Sequence, residues 1–117
     1  MAYHSYNIFN SNLFPVSELI KMHQGGVAYP TSFELSPVAD NRKSYYGKAI
    51  VVMWNNNKYL LSYNTPVAMV DKDGNFSRLW GGYSATTMRH VNSFHAAFAN
   101  APGGGKSWWD KLPVEQY

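Results

Sequence analysis

The chain has 117 residues, about the size of one folded domain, which excludes a multidomain enzyme. Ten Lys and Arg against seven Asp and Glu leave a net charge of +3, and only 15% of the residues are charged, too weak a bias to specify a polyanionic partner. Cysteine is absent, which removes disulfides, thiolate metal sites and cysteine nucleophiles, while nine Tyr, six Phe and four Trp supply the bulk of an aromatic core.

Residues 1–14 show no sustained hydrophobic period and read as an irregular arm or an edge strand. Met1–Asn7 has neither the positive nor the apolar region of a secretory signal, and the longest apolar run, Ala49–Trp54, is far shorter than the roughly 20 residues that cross a bilayer. A soluble cytoplasmic protein without a membrane partner is expected. Ser17 to Gly26 predicts a short helix, with Ser17 as its cap, a Gly pair as its exit, and Leu19, Ile20 and Met22 turned to the main body. Pro30 and Pro37 then bracket a loop that continues to Arg42 and Lys43.

Strand signals begin near Tyr45. Lys48–Trp54 is β-rich and apolar on both alternating faces, Asn55–Asn57 turns the chain, and Lys58–Tyr63 returns. Asn64–Pro66 interrupts the pattern before Val67–Val70, and Asp71–Gly74 carries the Asp-Gly hairpin signal ahead of Asn75–Trp80. Connections this short force antiparallel neighbours, which predicts a meander of about four strands. Past Gly81 and Gly82, Ser84 is placed to cap a helix from Ala85 to about Ala99, whose Thr87, Val91, Phe94 and Phe98, with Met88, form one apolar stripe. Asn100–Gly105 is a flexible break, and Ser107–Pro113 reads as a single turn capped by Ser107 and stopped by proline. The fold class is therefore α+β: an antiparallel meander packed by one long C-terminal helix, with a short N-terminal helix. Residues 1–117 form a single domain in this reading, with its core over 45–99 and a Gly-rich linker and Trp-containing tail over 100–117.

Motifs that tempt a catalytic reading do not survive inspection. Gly103–Ser107 ends like a phosphate-binding loop, but Asn100 stands where Gly is needed, a helix rather than a strand precedes it, and Pro113 stops the next helix within two turns. Asp71–Asn75 lacks the spacing and the terminal acid of a calcium loop. His90 and His95 are five apart, about 140° around a helix, and His4 and His23 lie in separate segments, so no metal site or cofactor is indicated.

Two regions carry binding chemistry. The start of the long helix offers unpaired amides, the hydroxyls of Ser84 and Thr86, and the cationic or hydrogen-bonding Arg89 and His90, all suited to an anion. The economical alternative is structural: Ser84 caps, while Arg89 and His90 bond sheet carbonyls or a tail carboxylate such as Asp110. Aromatic and basic residues interleave at Arg42, Lys43, Tyr45, Tyr46, Lys48, Trp54, Lys58 and Tyr59, a pattern that can stack single-stranded nucleic acid or equally pack a core. Trp108 and Trp109 are core plugs or interface residues.

Tyr45–Ala49, Leu61–Ala68 (LSYNTPVA), Tyr83–Phe94 (YSATTMRHVNSF) and Trp108–Pro113 (WWDKLP) together resemble a family of small, uncharacterised proteins from bacteriophages and mobile elements of Gram-positive bacteria. The likeness runs from about Tyr45 to Glu115, leaves residues 1–44 outside, and implies a genetic setting rather than an activity. The expected function is accordingly that of a phage-encoded accessory protein in the host cytoplasm. It would act without catalysis as an inhibitor of a host-defence complex, in the manner of anti-CRISPR proteins, with a host protein or ribonucleoprotein as partner. The alternative is a small nucleic-acid or nucleotide-binding module that uses the Ser84–His90 helix start. No nucleophile, base and orienting group stand at a spacing that would make an enzyme.

Overall fold

Short connections dictate the topology. The computed structural model describes residues 31–38 and 40–115, so the arm and the helix expected before Gly26 lie outside the described residues. Among the described residues, five strands, β1 (Thr31–Glu34), β2 (Ala49–Trp54), β3 (Asn57–Ser62), β4 (Thr65–Val70) and β5 (Phe76–Arg78), pair antiparallel in sequence order. Two helices come after them, α1 (Ala85–Phe98) and α2 (Lys106–Lys111). The architecture is α+β, with α1 packed on the sheet over β3 and β4.

The sheet has five strands rather than four because the segment read as a loop between two prolines contributes β1. Thr31–Glu34 is short and lacks apolar alternation, yet it pairs with β2 from Thr31 opposite Met53 to Glu34 opposite Ile50. The pairing is carried on by the Leu35 amide donating to Ala49 O at 2.9 Å. A second correction concerns Pro66. It stands within β4 opposite Leu61, at the point where the β3–β4 register shifts. A bulge is where a strand tolerates a residue with no N–H to give.

Alternation sorts the strand residues onto two faces. Ala49, Val51, Leu60, Ala68 and Val70 meet Met88, Val91 and Phe94 of α1 and Trp109 of α2. Ile50, Val52, Tyr59, Leu61 and Met69 form a second buried cluster on the other face, with Trp54 and Leu79 packed against it. Full burial of each α1 anchor contributes about 1.5–3 kcal/mol, and it fixes which side of α1 faces outward.

α1 is capped as the sequence indicates: Ser84 is extended at the N-cap, and its hydroxyl accepts from the Thr87 amide at 3.1 Å. α2 is not. Gly105, with φ at 93°, occupies its N-cap, and Ser107 lies inside the helix, which ends at Leu112 before Pro113. The linker into α2 passes tightly over aromatic rings. A Cβ added at Gly103 would lie 2.6 Å from Trp108 Nε1 and 2.8 Å from His95 Nε2. Gly103→Ala is therefore expected to overpack this corner, costing about 1–3 kcal/mol and shifting the Trp108 emission. Equilibrium denaturation followed by tryptophan fluorescence checks this, and an unchanged midpoint would show that the corner yields freely.

Candidate functional site

Two tight turns build the site at one end of the sheet. Tyr45–Lys48 closes with the Lys48 amide donating to Tyr45 O at 2.9 Å, and its central residues Tyr46 and Gly47 have φ of 53° and 75°. Ser62–Thr65 joins β3 to β4 through Tyr63 and Asn64, with φ of 50° and 65°. Both turns have left-handed backbone at each central position, the arrangement that matches the twist of a hairpin and favours Asn or Gly. Tyrosine stands first in each. Opposed Ala49 and Ser62 and a Tyr63 N–H to Lys48 O bond of 2.8 Å set the turns side by side.

The first turns of α1 overlie this end. Ser62 Oγ lies 3.0 Å from Thr87 Oγ1 and 2.8 Å from His90 Nδ1, tying the last residue of β3 to the helix. His90 is 1% exposed, with Tyr45 edge-on at 4.6 Å and Tyr63 tilted at 5.7 Å. Burial, with the charge of Arg42 second, pushes His90 down to about 4, so the ring is neutral at pH 7. Asp40 anchors the loop entering the turn. It accepts from Arg89 Nη1 at 2.8 Å, from the Arg42 amide at 2.9 Å and from the Tyr45 hydroxyl at 3.2 Å. The Arg42 amide first, then the Tyr45 hydroxyl and the Arg89 guanidinium, outweigh desolvation and hold its carboxyl below the usual value. The Tyr45 hydroxyl, 2.6 Å from Ser93 Oγ, is raised chiefly by burial.

Between the turns and the helix lies a cavity of about 180 Å³. Arg42, Lys48 and Arg89 bring positive charge to it, Tyr46 and Tyr63 stand in its wall, and His90 faces it. Ser44, Tyr45 and Thr86 complete the lining. The first turn of α1 holds no acidic residue, so its positive end is not neutralised from within. Arg89 also borders a wider depression of about 550 Å³ on the other side of the helix, with Tyr83 and Lys106 across it. There Lys106 Nζ sits 5.1 Å from the Tyr83 ring centroid and 2.6 Å from Asp110 Oδ2.

The residues singled out in the sequence separate into three groups. Arg42, Tyr45, Tyr46, Lys48, Thr86, Arg89 and His90 are brought together, and Ser84 caps the helix beside them. Trp54, Lys58 and Tyr59 are not, because they belong to the opposite end of the β2–β3 hairpin. Tyr59 is 1% exposed in the second core cluster, Trp54 packs beside that cluster, and Lys58 Nζ lies 5.2 Å from the Phe98 ring. Trp109 is likewise core at 1% exposed, and Trp108 packs 5.0 Å from Phe76 and 4.8 Å from His95, so neither ring offers a free face like those of the turn tyrosines. Lys43 is exposed and lines neither depression. The structural role foreseen for Arg89 and His90 is met by other partners: Arg89 pairs with Asp40 and His90 bonds Ser62, whereas Asp110 pairs with Lys106.

Tyr63, Ser44, Asp40 and Lys106 are among the residues that sequence reasoning does not place in the site. Tyr63 alone leaves a local signal, a bulky residue in a two-residue connection between β-rich runs. The Ser62–His90 contact has the reach of a nucleophile and its base, but Ser62 is 2% exposed and does not line the cavity, and among the described residues no carboxylate bonds the ring. Among the described residues no three His, Asp or Glu side chains gather as a metal set, and no helix is long and apolar enough to cross a membrane.

The model of a family of unknown function, DUF8033, matches residues 33–111, a span that includes every residue lining both depressions. No curated protein and no solved structure matches the chain.

Proposed function

This chain belongs to DUF8033, a family of unknown function, and we propose that it acts by binding rather than by catalysis, holding a single nucleic-acid strand across the first turns of α1. The observation that carries the reading is the position of three exposed tyrosines. Tyr46 (74% exposed), Tyr63 (51%) and Tyr83 (45%) line the two depressions that meet at Arg89. Exposed rings flanked by Arg42, Lys48, Arg89 and Lys106 are the components of a stacking platform over a positive groove. A buried serine and a histidine with no orienting carboxylate among the described residues favour binding over nucleophilic chemistry. An inhibitor of a host-defence protein or ribonucleoprotein complex, the role expected for a phage-encoded accessory protein, would engage its target through the same strip; a plasmid-interference assay with and without the gene tests that extension.

Fluorescence polarisation with short labelled single strands tests the binding itself. Affinity should fall linearly with the logarithm of salt concentration, and Arg89→Gln should lower the slope by about 0.7, one phosphate contact. Tyr46→Asn separates function from folding. It places the preferred residue at the first left-handed position, relieving backbone strain of order 1 kcal/mol, while removing a stacking face worth about 1–3 kcal/mol. The variant should melt higher and bind more weakly. Absence of binding to any single strand at low salt would reject the reading.

A further inference from the structure

Four observations converge on the smaller cavity. The first is charge. Neither Arg42 nor Lys48 has an ion-pair partner among the described residues, and Arg89 shares Asp40 as its only one. Among the described residues, three cations against one carboxylate leave two uncompensated positive charges at a single cavity. An internal phosphodiester brings one negative charge, whereas a terminal phosphate monoester brings about −1.5 to −2 at pH 7.

The second is an unpartnered buried nitrogen. Ser62 takes Nδ1 of His90, and Nε2 of a ring 1% exposed has no partner among the described residues although the ring lines the cavity. A neutral imidazole that accepts the Ser62 proton at Nδ1 carries its own N–H at Nε2, available to an oxygen acceptor. Buried polar atoms are rarely left unsatisfied without reason. The third is the positive end of α1 beside Thr86, with no acid in its first turn. The fourth is shape. A strand passing through needs an open groove, whereas the smaller cavity is the more enclosed of the two and is walled by the Tyr46 and Tyr63 turns.

We propose that the cavity between the Tyr46 and Tyr63 turns and α1 is a terminal-phosphate site, in which Arg42, Lys48 and Arg89 hold the monoester and His90 Nε2 donates to it, so that the protein recognises the phosphorylated end of a strand. The inference rests on the strand-binding reading and narrows it. In this arrangement the end nucleotide stacks on Tyr46 or Tyr63, and the following nucleotides continue past Arg89 toward Tyr83.

The test compares oligothymidylates of one length bearing a 5′-phosphate, a 3′-phosphate or hydroxyls at both ends, as competitors against an internally labelled strand, with thymidine 5′-monophosphate as a free-ester probe. One phosphorylated form should compete about tenfold or more better than the hydroxyl form, as one further charge-assisted contact predicts. Arg42→Gln and Lys48→Gln, both at exposed positions that leave the core intact, should each weaken the phosphorylated strand more than the hydroxyl strand and so erase most of that preference. Equal competition by all three strands, or an equal loss for all three in the variants, would overturn the terminal site while strand binding stood. Binding of the monophosphate with no binding of any strand would support the phosphate site and refute the strand reading. No binding of any probe would refute both.

Discussion

Arg78→Met is expected to cost on the order of 3 kcal/mol, the largest effect of any single substitution considered for this fold. Arg78 ends β5 at 7% exposed, and no carboxylate balances its charge among the described residues. Carbonyls do so instead. Nε donates to Trp80 O at 2.8 Å, Nη1 to Trp109 O at 2.7 Å and Leu112 O at 3.4 Å, and Nη2 to Gly82 O at 3.5 Å. The guanidinium also lies 4.4 Å from the Trp109 ring centroid. Trp109 and Leu112 stand at the end of α2, where Trp109 O also accepts the Leu112 amide at 3.1 Å, so the arginine adds charged donors to both carbonyls and complements the negative end of the helix. Met fills comparable space but strips the guanidinium donors from Trp80 O and Leu112 O, and leaves Trp109 O with only the Leu112 amide and Gly82 O with only Trp109 Nε1–H.

The consequence reaches the tail. Trp109 is held from two sides, by Arg78 beneath its ring and by its own Nε1–H donating to Gly82 O at 2.9 Å, and the Glu115 amide donates to Arg78 O at 2.7 Å. Loss of the guanidinium should lower the melting temperature by roughly 10–20 °C and move tryptophan emission to the red as the tail loosens. Arg78→Lys should recover only a minority of the loss, because a point charge cannot serve four separated acceptors. A double-mutant cycle with Trp109→Phe, read by chemical denaturation, should return a coupling of about 0.5–3 kcal/mol. A wild-type melting curve for Arg78→Met would show that the tail docks without it.

The contrast between Trp109 and Arg78 shows where the sequence is legible. Trp108 and Trp109 near a chain end announce an anchor, and Ser84, Val91 and Phe94 announce a capped helix with a buried stripe, because those signals are local and periodic. Arg78 announces nothing. One arginine in a β-rich run reads as an exposed strand residue, and its acceptors lie up to 34 positions away. The Asp40–Arg89 pair spans 49 positions, so the residues near Arg89 point to a partner in the tail rather than in the loop before β2. β1 is missed for the same reason: Thr31–Glu34 has no pattern of its own and becomes a strand because β2 offers it an edge.

The cavity is half legible. Arg42, Tyr46, Lys48 and Arg89 stand out as basic and aromatic, but adjacency in sequence also draws in Trp54 and Tyr59, which the two-fold alternation of β2 and β3 sends to the opposite face of the sheet. What decides membership is the turn. Tyr46 and Tyr63 are in the site because left-handed turns carry them out of the alternation altogether, and only a bulky residue in a position that suits Asn or Gly hints at this beforehand.

Acid should destabilise the protein over a window set by His90. Its folded value of about 4 lies below the unfolded 6.5, because burial and the Arg42 charge oppose protonation more than the Asp40 carboxylate favours it. Between those values the unfolded chain binds a proton that the native ring refuses, so stability rises with pH across the window and is lost as pH falls through it. Full traversal corresponds to a loss on the order of 3 kcal/mol. His95, lowered chiefly by burial, adds in the same direction. Asp40 and Asp71, whose carboxyls accept backbone amides and are held below 3.8, contribute stability that goes only under more acid conditions. Denaturant midpoints measured from pH 7 to pH 4 should therefore decline steadily in the wild type, whereas His90→Gln should flatten most of the decline while starting from a lower stability, since it disturbs the Ser62 contact. An anion seated against Nε2 favours the imidazolium, so saturating sulfate, which stays a dianion across the window, should shrink the acid loss in the wild type and leave the slope of the His90→Gln profile unchanged. A decline of equal slope in both proteins would assign the acid sensitivity elsewhere and remove His90 from the floor of the site.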